Sequence, residues 1–226
     1  MVSGSASGPC GSGRDGYGEP VEVNGAATTT SANAVIQVYL GAFDEVVRAI
    51  DHDSLVRVVD RLRRARDAHR TVFVAGNGGS AATASHFAND LGKAAKHVSR
   101  LPFRVMSLAD NASWLTALGN DEGYERVFAG QLENFASAGD VLVVISASGN
   151  SPNLLLAVEL AQARGVETIG LLGFDGGKLL DRVDEAVWVK TGLGEYGIVE
   201  TTHTLLCDLV VTCLVADRDG PSQQDE

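Results

Sequence analysis

The residues best placed to do chemistry begin at Ser146-Ala147-Ser148-Gly149-Asn150-Ser151, which ends an unbroken apolar run and is followed by Pro152. A glycine lets the backbone approach a ligand closely and take positive φ. Ser151 suits a helix N-cap and Pro152 the first helical position. A helix start offers unpaired N–H donors and a partial positive charge. Clustered hydroxyls add donors, giving a phosphate cradle that needs no lysine. A second loop, Ala75-Gly76-Asn77-Gly78-Gly79-Ser80, ends another apolar run and opens another helical pattern. Either loop alone is also an ordinary β–α turn. Two of them on one sheet edge point to phosphate. No Gly-Lys-Ser/Thr is present, so this is not a nucleotide P-loop. Gly76–Ala81 meets a loose dinucleotide fingerprint, but Lys96-His97-Val98-Ser99 occupies the place of the ribose-binding acid. No nucleotide is expected.

Titratable residues follow the same loops. His86 and Asp90 stand at i and i+4, on one face of the helix leaving the glycine loop. Near the C-terminus, Glu200 and His203 share a face of a helix. Asp208 lies about 80° around the axis from Glu200, on the side away from His203. Charges entering so apolar a helix demand partners. In the plain alternative, Glu200 caps the first turn and Asp208 faces solvent. Asn120-Asp121 reads as a turn or as a holder of sugar hydroxyls.

The elements that must position these residues alternate. Helical spacing of Val35, Ile36, Tyr39, Leu40, Phe43, Val46, Val47 and Ile50 predicts a leading helix, and a second is predicted over 53–69. Strands are expected at 71–75, 103–108, 141–146, 167–173 and 186–190. Helices are expected at 79–93, near 111–118, at 123–137, 151–164 and 177–181, and at 197–217. Short β-rich runs alternating with helices imply a parallel sheet covered on both faces. Ligands of such sheets bind at the carboxyl ends of the strands. Residues 1–31, rich in Gly, Ser, Ala and Thr, read as a mobile tail. One domain is expected over 32–217, and a second tail over 218–226.

Composition narrows the partners. A net charge of −11 argues against nucleic acid, whose phosphates require Lys and Arg. Neutral donors can still hold a small anion. No apolar run approaching the ~20 residues of a membrane span and no secretory signal are evident, so no membrane association is expected. Cys10, Cys207 and Cys213 show no ligand spacing, and the chain reads as a cytoplasmic protein.

With those residues in view, AGNGGSAATASHFANDL, the GND at 119–121, SASGNSPN, GFDGGKL and VETTH, in that order, resemble the SIS (sugar isomerase) domain. Within it they are most similar to the phosphoheptose isomerase group, over about 34–216. The resemblance implies a three-layer α-β-α sandwich with a five-stranded parallel sheet, assembled as a homotetramer with shared active sites. It implies aldose–ketose isomerisation of a phosphorylated sugar through an enediolate, sedoheptulose 7-phosphate giving D-glycero-D-manno-heptose 7-phosphate or a related heptose phosphate. Ser146, Ser148 and Ser151 would hold the phosphate with Ser80, and Ala147 stands where relatives often carry Thr. Asn77, Gly78, Gly79, Asn120, Asp121 and Glu200 would contact the sugar.

Asp90 occupies the family's acid/base Glu position, Glu200 its Gln and Asp208 its second catalytic His. The resemblance further implies a divalent metal, zinc foremost, on His86, Asp90, Glu200 and Asp208. Proton abstraction is expected from Asp90 or Glu200, and protonation of oxygen from His203 or Asp208. The alternative is a regulatory SIS protein that binds a phosphosugar or a partner without catalysis, which the Asp at 208 also fits.

Overall fold

The structure is a computed structural model that describes residues 31–93 and 101–216. The tails expected at 1–31 (save Ser31) and 218–226, together with Cys10 and Lys96–Ser99, lie outside the described residues. Two helices lead, α1 (Ala32–Arg48) and α2 (His52–Asp67). Then come β1 (Thr71–Gly76), α3 (Gly79–Lys93), β2 (Arg104–Ser107), α4 (Ala112–Asp121), α5 (Ala129–Phe135), β3 (Val141–Ser146), α6 (Pro152–Ala163), β4 (Glu167–Leu172), β5 (Glu185–Trp188) and α7 (Tyr196–Ala216). The five strands form one parallel sheet in the order β2-β1-β3-β4-β5.

The strands are continuous in apolarity because both faces of the sheet are covered. Val72, Val74, Val143 and Ile145 point into a core shared with α2, α3 and α7. Their neighbours Phe73, Ala75, Leu142 and Val144 point the other way, into a core with Leu118, Leu132 and Leu154 of α4, α5 and α6. This is the α-β-α sandwich, produced by the two-residue period of a strand.

Two expected helices are shorter than their patterns. The stretch 123–137 starts as a 3₁₀ turn, Tyr124–Arg126, before α5, because Gly123 at φ +101 turns the chain. The segment 177–181 is a single 3₁₀ turn, Gly177–Leu179, behind Gly176 at φ +84. A third difference concerns α7, which is long and apolar enough to cross a membrane by length and composition, contrary to the sequence expectation. It packs as a core helix, with Val199, Leu206, Val210 and Leu214 buried.

Chain order places the site. β2 lies on one side of β1, while β3, β4 and β5 continue on the other. The connections therefore diverge between β1 and β3, and a crevice opens there at the carboxyl ends of the strands. The loops leaving β1 and β3 are the glycine loop and the serine loop.

Candidate active site

The serine loop is held by its own polar atoms. The Gly149 N–H donates to Ser146 Oγ at 3.0 Å, and the Asn150 N–H to Ser148 Oγ at 3.3 Å. Asn150 Nδ2 donates to the Ser148 carbonyl at 2.9 Å, and its Oδ1 accepts from the Lys178 N–H at 3.1 Å. The loop after β4 packs against it backbone to backbone. Gly149 sits at φ +62, and a Cβ there would run into the Gly176 carbonyl. Ser151 does occupy the N-cap of α6 with Pro152 behind it, but its hydroxyl makes no cap hydrogen bond. The first amides of α6 thus lack a side-chain acceptor at the spot where a phosphate would find them.

Ser80, Ser146, Ala147, Ser148 and Ser151 line a pocket of about 160 Å³ together with Asn77, Tyr196 and Glu200. Among the described residues no Lys or Arg lines it, so the donors it offers an anion are amides, hydroxyls and a helix end. A wider groove of about 830 Å³, bounded by Trp114, Phe135 and Asp110, is lined by none of the serine-loop residues and by none of Asp90, Glu200 and Asp208. The smaller pocket carries the chemistry.

Glu200 reaches this pocket because α3 and α7 pack against each other along a polar seam. A Cβ on Gly79 would strike the Glu200 carboxylate, so a side chain there would push that carboxylate aside. One turn on, Thr83 and Thr204 meet through their hydroxyls at 3.2 Å. A further turn brings His86 Nε2 to 3.9 Å from Asp208 Oδ1 and 2.8 Å from Asp90 Oδ2. The positions 79, 83, 86 and 90 on one helix and 200, 204 and 208 on the other advance by about one turn each, which is the spacing of a single helical stripe.

Donor atoms of His86, Asp90 and Asp208 lie within 4.8 Å of one another. One imidazole and two carboxylates fit a divalent cation such as zinc. Glu200, expected as a fourth ligand, does not belong to this group. Its Cα stands eight residues from Asp208, roughly 12 Å along the helix.

His203 lies elsewhere. It has no exposed surface, and neither ring nitrogen has a hydrogen-bond partner. Desolvation pushes its pKa down to about 4, and the nearby Leu172 backbone opposes this without completing a hydrogen bond. The helical period that sends Glu200, Thr204 and Asp208 to the seam turns His203 toward the sheet. Burial likewise pushes the Cys207 thiol far above its ordinary value, with Asp208 and Asp90 adding to the shift.

Asn120 and Asp121 are exposed at the end of α4, where Asn120 Nδ2 donates to Asp121 Oδ1 at 2.7 Å, and neither lines the pocket. Their turn does approach it, because the Tyr124 hydroxyl donates to Asn77 Oδ1 at 3.1 Å.

Several participants escaped the sequence reading: Asn153, Tyr124, Tyr196, Thr83 and Thr204. Three of them carried a signal. Thr83 and Thr204 repeat the four-residue step of Gly79 and Glu200, and Asn153 is a polar residue that opens an otherwise leucine-rich helix.

Residues 38–173 match the SIS domain family. The chain belongs to the SIS domain family. It is 39% identical over 181 residues to a phosphoheptose isomerase of Geobacter sp. (strain M21), covering 77% of this chain and 93% of that protein. The solved phosphoheptose isomerase GmhA of Neisseria gonorrhoeae superposes with a TM-score of 0.72 at 31% identity, covering 81% of this chain and 96% of that one. The phosphoheptose isomerase of Francisella tularensis gives 0.70 at 25% identity, covering 80% and 95%. As an SIS domain, the chain carries its serine loop and glycine loop at the sheet's switch point.

Proposed function

We propose that this protein is an aldose–ketose isomerase of phosphorylated sugars, converting sedoheptulose 7-phosphate to D-glycero-D-manno-heptose 7-phosphate or a closely related heptose phosphate. The observation that carries this reading is one pocket that joins a hydroxyl-lined phosphate cradle to a carboxylate, Glu200. Its relatives named phosphoheptose isomerase support the same reading.

In the reaction a base removes a proton from C1 of the ketose. The C–H electrons form the C1=C2 bond of an enediol(ate), and O2 takes up a proton. Return of a proton to C2, with loss of the O1 proton, leaves the aldehyde. Phosphate binding far from these carbons orients them. Glu200 and Asp90 are the carboxylates proposed to move the carbon-bound proton, and Asp208 the oxygen-bound one. His203 takes no part in it, since its imidazole is fully buried and does not line the pocket. A zinc or similar ion held by His86, Asp90 and Asp208 would polarise the sugar carbonyl when bound.

The tetramer with shared sites belongs to the same proposal. One observation supports it: α1 buries none of its residues while exposing Val35, Ile36, Val38 and Leu40. A second copy covering α1 would bury those side chains.

The test is incubation with sedoheptulose 7-phosphate, with and without added Zn²⁺, and detection of the aldose by NMR. Turnover upholds the reading. Saturable binding without product in both conditions would make the protein a non-catalytic phosphosugar binder.

A further inference from the structure

Asn77 is a residue of the glycine loop that lines the pocket, yet its side chain is largely occupied by protein. Its Nδ2 donates to Asn153 Oδ1 at 3.0 Å, and its Oδ1 accepts from Asn153 Nδ2 at 2.8 Å. The Tyr124 hydroxyl reaches the same Oδ1 at 3.1 Å. The two amides form a closed ring of two hydrogen bonds between the loop after β1 and the first turn of α6. Asn153 is only 2% exposed, so this ring is largely shielded from competing water. Such a pair holds both its distance and its orientation, because each amide is donor and acceptor at once. Asn153 stands two residues after Ser151 at the phosphate end. Asn77 stands two residues before Gly79, which lies under Glu200.

We infer that Asn153 is a positioning residue for the isomerase reaction: acting through Asn77, it fixes the separation between the phosphate-holding serine loop and the sugar-facing glycine loop. Asn77 then serves as the other half of the clamp rather than as a free ligand of sugar hydroxyls. The inference rests on the isomerase reading above. A clamp of this kind matters to a substrate that touches both loops, and hardly at all to an anion that touches one.

The experiment compares wild type, Asn153→Ala, Asn77→Ala and the double variant. It measures kcat and KM with sedoheptulose 7-phosphate, and Ki for inorganic phosphate as competitor. A displacement of about 1 Å between the loops lowers kcat/KM by about 10- to 100-fold. The Ki for inorganic phosphate stays within about threefold, since that ion needs only the serine loop. The double variant loses no more than the worse single, because one clamp is broken once. Asn153→Asp keeps the side-chain volume and one of the two bonds, and retains activity between wild type and Asn153→Ala; it also serves if the alanine variant does not fold. Wild-type kcat/KM in Asn153→Ala or Asn153→Asp, multiplicative losses in the double variant, or equal losses in kcat/KM and phosphate affinity would each overturn the inference while leaving the isomerase reading intact. A wild-type protein that binds phosphate but never turns over sugar phosphate would sink the isomerase reading, and the inference with it.

Discussion

Replacing Gly149 with alanine is the sharpest probe of the phosphate cradle. The residue sits at φ +62, in the left-handed region, where a side chain costs about 1–2 kcal/mol. For a domain of this size that lowers Tm by about 2–8 °C. Sterics add a directed displacement. A Cβ on Gly149 would lie 2.6 Å from the Gly176 carbonyl carbon, against a carbon–carbon optimum of about 3.5 Å, so the loops must part by about 1 Å. The Gly149 carbonyl also accepts from the Leu179 N–H at 3.0 Å, and its N–H holds Ser146 Oγ, so both bonds stretch with it. Misplacing a bound phosphate by that much lowers kcat/KM by about 100-fold. Steady-state assays on sedoheptulose 7-phosphate, inhibition by inorganic phosphate and a thermal melt read the three effects separately. The expected result is a folded variant with modestly lower Tm, much weaker phosphate inhibition and a collapsed kcat/KM. Wild-type phosphate inhibition together with the predicted fall in Tm would refute the argument, because the loop would then have moved without touching the anion.

Other predictions follow from the seam and the core. Asp90→Asn and Glu200→Gln should each slow exchange of the substrate's C1 proton with solvent by about 100-fold or more, and full exchange in both would remove them from the mechanism. His86→Ala should lower the zinc retained after dialysis, read by elemental analysis; unchanged zinc would place the metal elsewhere. His203 has a folded pKa of about 4 against an ordinary 6.5. Between those values the unfolded chain takes up a proton that the folded chain refuses, so stability is complete above pH 6.5 and falls as pH drops toward 4, by about 3 kcal/mol. Urea titrations across that window should show the slope in wild type and lose it in His203→Leu. Ile36→Glu with Val38→Glu should reduce the assembly's mass in analytical ultracentrifugation and depress activity, whereas an unchanged mass would separate α1 from assembly.

Most of the element order could be read along the chain. A strand buried on both faces leaves an unbroken apolar run, as at Val141–Ile145, and a β–α turn that binds an anion leaves glycines and hydroxyls, as at Ser146–Ser151. Both signals are local, so they survive in one dimension. The helical period put Glu200 and His203 on one face, yet Glu200 lines the pocket while His203 is fully buried away from it. The period could not say which stripe of α7 meets α3 and which meets the sheet. That choice depends on the packing partners, and it separates the exposed Asp208 from the fully buried His203. Pairings across sequence were equally invisible: Asn77 with Asn153, Thr83 with Thr204 and Gly79 beneath Glu200 are 76, 121 and 121 residues apart. Residue type and spacing therefore determined what the loops can bind. Only the folded sheet, by bringing β1 and β3 side by side and laying α7 along α3, decided which polar groups face one another, because hydrogen bonds and ion pairs depend on distances in space that the linear order does not encode.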